Sequence, residues 1–95
     1  MAKRFIKSGG IIERRIRDER ILVPIMDSME ALDSIYTLDE TAGRIWDAAI
    51  AGADEEEIGR KLCEEYDVPA ETARADVRAI LDELVRLGAL EPLSD

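Results

Sequence analysis

Ile35-Tyr36-Thr37-Leu38-Asp39-Glu40-Thr41-Ala42-Gly43-Arg44-Ile45-Trp46 is the stretch in which the chain changes its period. The first four residues alternate, with Tyr36 and Leu38 on one face and Ile35 and Thr37 on the other, as in a strand. From Asp39 the repeat becomes helical. Ala42, Ile45, Trp46, Ala49 and Ile50 recur at three- and four-residue spacings, behind an aspartate suited to cap a helix and ahead of Gly52. The Leu38–Asp39 boundary therefore divides a strand-forming front from a helical back.

Upstream of this boundary lie two short runs dense in β-branched residues, Ile11-Ile12-Glu13-Arg14-Arg15-Ile16-Arg17 and Arg20-Ile21-Leu22-Val23-Pro24-Ile25. They predict strands over 11–17 and 20–25 joined by a tight polar turn, with a third strand over 34–38. Pro24 has no amide donor, so the second strand ends there or exposes that position. Residues 26–33 read as a polar connector. Residues 1–10, basic and ending in Gly9-Gly10, read as a flexible tail, and 11–95 as one domain.

Downstream, the spacing predicts helices over 40–51, 55–66 and 70–87. Asp54 is placed to cap the second, whose apolar positions Ile58, Leu62 and Tyr66 follow at intervals of four. Asp67-Val68-Pro69 interrupts it, because the residue before proline resists the helical region. The third carries Ala73, Val77, Ile80, Leu84 and Leu87 as a core stripe and ends at Gly88. Ala89-Leu90-Glu91-Pro92 forms a last extended piece. The result is an α+β domain with a small antiparallel sheet.

Composition narrows the function. The chain has 95 residues, 46% of them hydrophobic, which suits one domain with a thin core. It contains no histidine and one cysteine, Cys63. Histidine-based acid–base or nucleophilic catalysis, histidine-ligated metal and an internal disulfide are thereby excluded, and no cofactor is expected. Cys63 beside Leu62 reads as a small buried hydrophobe. The many acids cluster at helix starts, where the macrodipole favours them, and none is paired with a nucleophile. No apolar run is long enough for a membrane span and no signal peptide is visible, so a cytoplasmic location is expected.

Charge is unevenly distributed. Residues 1–25 hold seven Lys/Arg against three acids, and the remainder six against nineteen, a net of −13. So acidic a body repels polyphosphate, which argues against nucleic acid as a partner. In the third helix Leu81 and Val85 extend the stripe to one side, among Arg74 and Arg78, while the opposite shoulder carries Asp76 and Glu83. An apolar shelf beside arginines suits an amphipathic acidic peptide. The same shelf could equally pack on the domain's own sheet, with the arginine stems lying along it.

Two resemblances bear on function. Asp27-Ser28-Met29-Glu30-Ala31-Leu32 resembles the site at which acyl and peptidyl carrier proteins receive phosphopantetheine, on Ser28. Carrier proteins place a helix before that serine, whereas here arginine-rich strands precede it. Far broader is the likeness of Tyr36-Thr37-Leu38-Asp39-Glu40-Thr41-Ala42-Gly43-Arg44-Ile45-Trp46 to the Tyr-x-Leu-Asn-x-Thr-Ala/Gly-x-x-Ile-Trp signature of the PqqD-like proteins. It continues through Glu57-Ile58, Glu64-Glu65-Tyr66-Asp67-Val68, Asp76-Val77 and Leu81-Asp82-Glu83-Leu84 to Leu87-Gly88-Ala89-Leu90, and upstream through Glu19–Pro24. The likeness spans roughly residues 12–91. Asp39 stands where asparagine is usual and Ile80 where phenylalanine is common.

The PqqD-like resemblance implies a winged-helix-like fold, three antiparallel strands followed by three helices. It further implies a non-catalytic recognition element that holds the leader of a ribosomally made precursor peptide and presents it to a modifying enzyme, often a radical SAM enzyme. By position, the leader would add as a strand beside Ser34, Ile35, Tyr36, Thr37 and Leu38, against Arg74, Arg78, Leu81 and Val85 of the third helix. A homodimer formed by exchange of N-terminal strands is a further possibility. A winged-helix DNA-binding regulator shares the architecture. Its recognition helix should be basic, yet residues 70–87 carry three arginines against four acids.

Overall fold

A two-residue turn sets the register of the front half. In the computed structural model, which describes residues 3–24 and 35–93, strands β2 (Ile11–Ile16) and β3 (Glu19–Pro24) pair antiparallel through Ile16↔Glu19 to Ile11↔Pro24. Arg17 and Asp18 form the turn, with Arg17 left-handed at φ 57. Placing that positive φ at the first turn residue suits the right-handed twist of the flanking strands. Hence the turn lies one residue earlier than the polar Asp18-Glu19 pair suggests. Strand β4 (Tyr36–Leu38) joins the other side of β3, giving a sheet ordered β2-β3-β4.

Three helices follow, α1 (Glu40–Ile50), α2 (Glu55–Tyr66) and α3 (Ala70–Leu87). A three-stranded antiparallel sheet succeeded by three helices is the α+β arrangement predicted. Both aspartate caps form: Asp39 accepts from the Ala42 amide at 2.7 Å and Asp54 from the Glu57 amide at 2.9 Å, each satisfying a donor that the helix start leaves open. Gly88, at φ 85, closes α3, and the Ala89 amide reaches back to the Leu84 carbonyl at 2.9 Å.

The core lies where the inner sheet face meets α1 and α3. Leu22, Ile45, Trp46, Val77 and Leu84 are wholly buried there. Residues 5–7, read from sequence as part of a flexible tail, instead form β1 (Phe5–Lys7). This strand pairs with β5 (Leu90–Pro92) in a separate two-stranded sheet. The physical reason is Phe5, which is buried against the core, while Glu55 and Leu93 amides donate to the Lys3 and Arg4 carbonyls, both at 2.9 Å. Among the described residues no helix is long and apolar enough to cross a membrane.

Candidate functional site

Among the described residues, one side of β4 is open. Its direction follows from the hairpin turn. Residues facing each other across a two-residue turn can bridge only by exchanging both backbone bonds, so Ile16↔Glu19 is a bonded pair. Bonded and non-bonded pairs then alternate, so Ile21 and Val23 bond to β2, whereas Arg20 and Leu22 turn their amides and carbonyls to β4. Pro24 falls at a non-bonded position opposite Ile11, where β2 needs no donor from it. With Arg20 opposite Leu38 and Leu22 opposite Tyr36, the backbone of Tyr36 and Leu38 is engaged by β3. That of Thr37 points away from β3. Among the described residues no strand lies on that side.

The edge carries a buried and an exposed set of side chains. Leu38 is in the core and Tyr36 packs against it, while Ile35 and Thr37 face solvent. The Tyr36 phenol has its pKa raised, first by burial and then by the charges of Glu83 and Asp39. Glu83 of α3 is thus close enough to the phenol for its charge to act on it. Helical spacing places Asp76, Ile80 and Leu87 on the same stripe, and Ile80 and Leu87 are half-buried against the core.

A polar tie fixes the β2–β3 hairpin to α1. The Trp46 indole donates Nε1–H to Glu13 Oε1 at 2.7 Å. Arg20 Nη1 donates to Asp47 Oδ1 at 2.7 Å and lies 3.6 Å from Glu13 Oε2. The hydrogen bond from Arg20 to Asp47 is the main influence raising the guanidinium pKa, with the Asp47 and Glu13 charges adding to it against burial. Gly43 makes room for this arrangement, since a Cβ there would overlap the Arg20 guanidinium. The motif glycine and tryptophan thus both serve the strand–helix junction. Sequence reading missed Glu13 and Arg20 as its partners, because alternation alone places both on the sheet's inner face without saying what they meet.

The two halves of the sequence-predicted site do not come together. Ser34, like the carrier-type Ser28, lies outside the described residues. Tyr36, Thr37 and Leu38 form β4, and Ile35 immediately precedes it. Arg74, Arg78, Leu81 and Val85 occupy the other flank of α3. Arg74 and Arg78 line a hollow against α2 with Glu55 and Cys63, and Arg78 Nε donates to Glu55 Oε1 at 3.2 Å. Leu81 and Val85 border a second hollow beside Phe5 and Pro92, with Leu81 only 2% exposed. The apolar shelf is therefore largely taken up by the N-terminal strand β1. The flank toward β4 is the acidic shoulder. Among the described residues no group of three or more potential metal ligands occurs.

The profile of the family described as coenzyme PQQ synthesis protein D (PqqD) matches residues 25–90. No curated protein matches the chain. Among solved structures, the chain is similar to TbiB1, determined in complex with the TbiA(β) leader peptide: TM-score 0.77, 29% identity, 95% of this chain and 99% of that one. It also shares the fold of a lasso peptide synthetase B1 complexed with its leader peptide, with TM-score 0.79, 20% identity, 93% of this chain and 98% of the other.

Proposed function

The chain belongs to the PqqD family, and on that premise we propose that it is a leader-peptide adaptor. It takes the leader of a ribosomally made precursor as an added strand on β4 and presents the remainder to a separate modifying enzyme. The observation that carries this reading is the outward backbone of Thr37, on an edge that no strand among the described residues pairs with. Such an edge is a liability in a free protein and a binding device in one that recognises extended peptides. TbiB1, similar over nearly its whole length, was determined with a leader peptide bound, which supports the reading.

In this proposal Ile35, Tyr36, Thr37 and Leu38 supply the strand, and Ile80, Glu83 and Leu87 the helix side in place of Arg74, Arg78, Leu81 and Val85. The bound segment is then apolar with a basic residue near Glu83. Main-chain bonds give affinity and the helix flank gives choice of side chain. The chain itself catalyses nothing, lacking histidine and any paired nucleophile. Its contribution is effective concentration: a tethered precursor meets the enzyme as if at millimolar levels. By family resemblance that enzyme is a radical SAM maturase, and the adaptor works beside it in the reducing cytoplasm, a reading that the single cysteine supports.

The test is a set of leader peptides, each N-methylated at one backbone amide, titrated against the full chain. The leader comes from a short reading frame neighbouring this gene. Strand addition requires sensitivity to alternate with period two along the bound segment. A flat profile, or no binding of the unmodified leader, refutes the proposal.

A further inference from the structure

The face of the β2-β3-β4 sheet turned away from the core is mostly apolar. Leu22 and Leu38 point inward, so the alternate positions Ile12, Arg14, Ile16, Ile21, Val23, Ile35 and Thr37 point outward, with Glu19 opposite Ile16 at the turn end. Ile12 lies directly opposite Val23, and Ile21 sits between Arg14 and Thr37. Ile12, Ile16 and Ile35 are 40%, 55% and 45% exposed. Scattered exposed isoleucines need no explanation, but five aliphatic β-branched side chains on one continuous face do.

We propose that this outer sheet face, together with the peptide strand added beside it, is the docking surface for the enzyme that modifies the same peptide. The inference rests on the leader-binding reading. Its occupant follows from area and continuity. Two strands of six residues and one of three, about 4.8 Å apart, give a footprint of roughly 240 Å². Two such faces together would bury about 500 Å², well short of the ~1,200 Å² typical of a stable interface. A second copy held by this face alone is therefore too weakly bound, and each copy's net charge of −9 opposes it further.

A peptide strand on β4 changes that account. It extends the same sheet, and its alternate side chains join Ile35 and Thr37 on the same outer face. A protein already gripping the downstream part of that peptide needs only a modest extra patch. Its matching chemistry is an apolar strip with a carboxylate to meet Arg14. The enzyme would then bind the loaded adaptor in preference to the empty one, so that unoccupied copies do not compete for it.

The experiment uses the full chain, the synthetic leader and the purified modifying enzyme encoded with the precursor. Ile12→Glu and Ile16→Glu alter the outer face on β2 without touching β4, and Ile50→Glu on α1 is the control at another exposed isoleucine. Leader affinity is expected to stay within about twofold for all three. Enzyme affinity for the loaded adaptor should fall by about tenfold or more for the two β2 variants alone, the loss expected when a charge enters an apolar contact. The wild type should bind the enzyme more tightly loaded than empty. Leader binding with enzyme affinity indifferent to Ile12 and Ile16 overturns the docking face and leaves the adaptor reading standing. Absence of leader binding to the wild type overturns that reading itself. Sedimentation of the wild type as a dimer that Ile16→Glu dissociates would assign the face to self-association and also refute the proposal.

Discussion

Proline at Thr37 and at Tyr36, introduced singly, should separate binding from folding. The Thr37 amide points away from β3, so Thr37→Pro removes no hydrogen bond of the isolated domain. The ring's fixed φ lies inside the extended region, and the residue before it is already extended, so the stability cost is held below about 1 kcal/mol. Tyr36 is opposite Leu22 in a bonded pair. Tyr36→Pro forfeits that bond, about 0.5–1.5 kcal/mol, together with the ring's contact with the core, about 1–2 kcal/mol for a half-buried aromatic. The total, roughly 1.5–3.5 kcal/mol, is a large share of the ~5–15 kcal/mol that holds a domain folded. Binding reverses the order. Thr37→Pro withholds one donor from the incoming strand, which amounts to about 2- to 13-fold in Kd. Urea unfolding of both variants, with anisotropy titration of a labelled leader at a urea-free temperature where both are folded, gives the two numbers. If Thr37→Pro unfolds as readily as Tyr36→Pro, or binds like the wild type, the parity deduced from the hairpin turn is wrong.

Three further outcomes are expected. Glu13→Leu should destabilise the domain by about 1–3 kcal/mol, because it leaves the indole N–H of the wholly buried Trp46 without its acceptor; Glu13→Gln should cost less, and the single tryptophan's fluorescence reports both. Gly43→Ala should show a sign that depends on its neighbour. In an Arg20→Ala background the helix gains about 0.5–1 kcal/mol from the added methyl, whereas in the wild type the methyl displaces Arg20 from Asp47 and the gain disappears; a double-mutant cycle by urea denaturation measures the difference. Finally, the raised Tyr36 pKa means that the folded state prefers the neutral phenol. The associated stability is complete below the ordinary phenol pKa of ~10 and is lost as pH climbs through the folded value. Alkaline melting curves of the wild type should thus fall more steeply than those of Tyr36→Phe.

Local chemistry was legible in the sequence wherever it acts over a few residues. Asp39 and Asp54 cap helices, Gly88 ends one, and the Ala73, Val77, Leu84 stripe is buried, all because caps and periodicity are properties of neighbouring residues. What sequence could not reveal were relations between distant segments. Phe5-Ile6-Lys7 is too short to show an alternation, and its partner Leu90–Pro92 lies at the other end of the chain. The periodicity of α3 correctly divided an apolar-basic flank from an acidic one, but a helix's own repeat does not say which flank meets the sheet edge. The answer came from Phe5 and Pro92, which border Leu81 and Val85 and so turn Glu83 toward Tyr36. Hydrogen-bond parity at Thr37 was likewise hidden until the Arg17-Asp18 turn was located.

The β1–β5 clasp has a consequence for the order in which the molecule assembles. Lys7 pairs with Leu90, so the first contact of that clasp closes a loop of nearly the whole chain, at an entropic cost of about 4 kcal/mol beyond the constant term. The β2–β3 hairpin closes over two residues and forms on a microsecond timescale. Assembly therefore runs from the middle outward: the hairpin and helices gather first, and the chain's two ends meet once α3 has docked. In the native state the same clasp, three residues on each strand, is held by Phe5 and Leu90, which both sit in the core, so parting the two ends costs apolar burial as well as backbone bonds. The β3–β4 pairing belongs to the other sheet, so the two ends can part without breaking it.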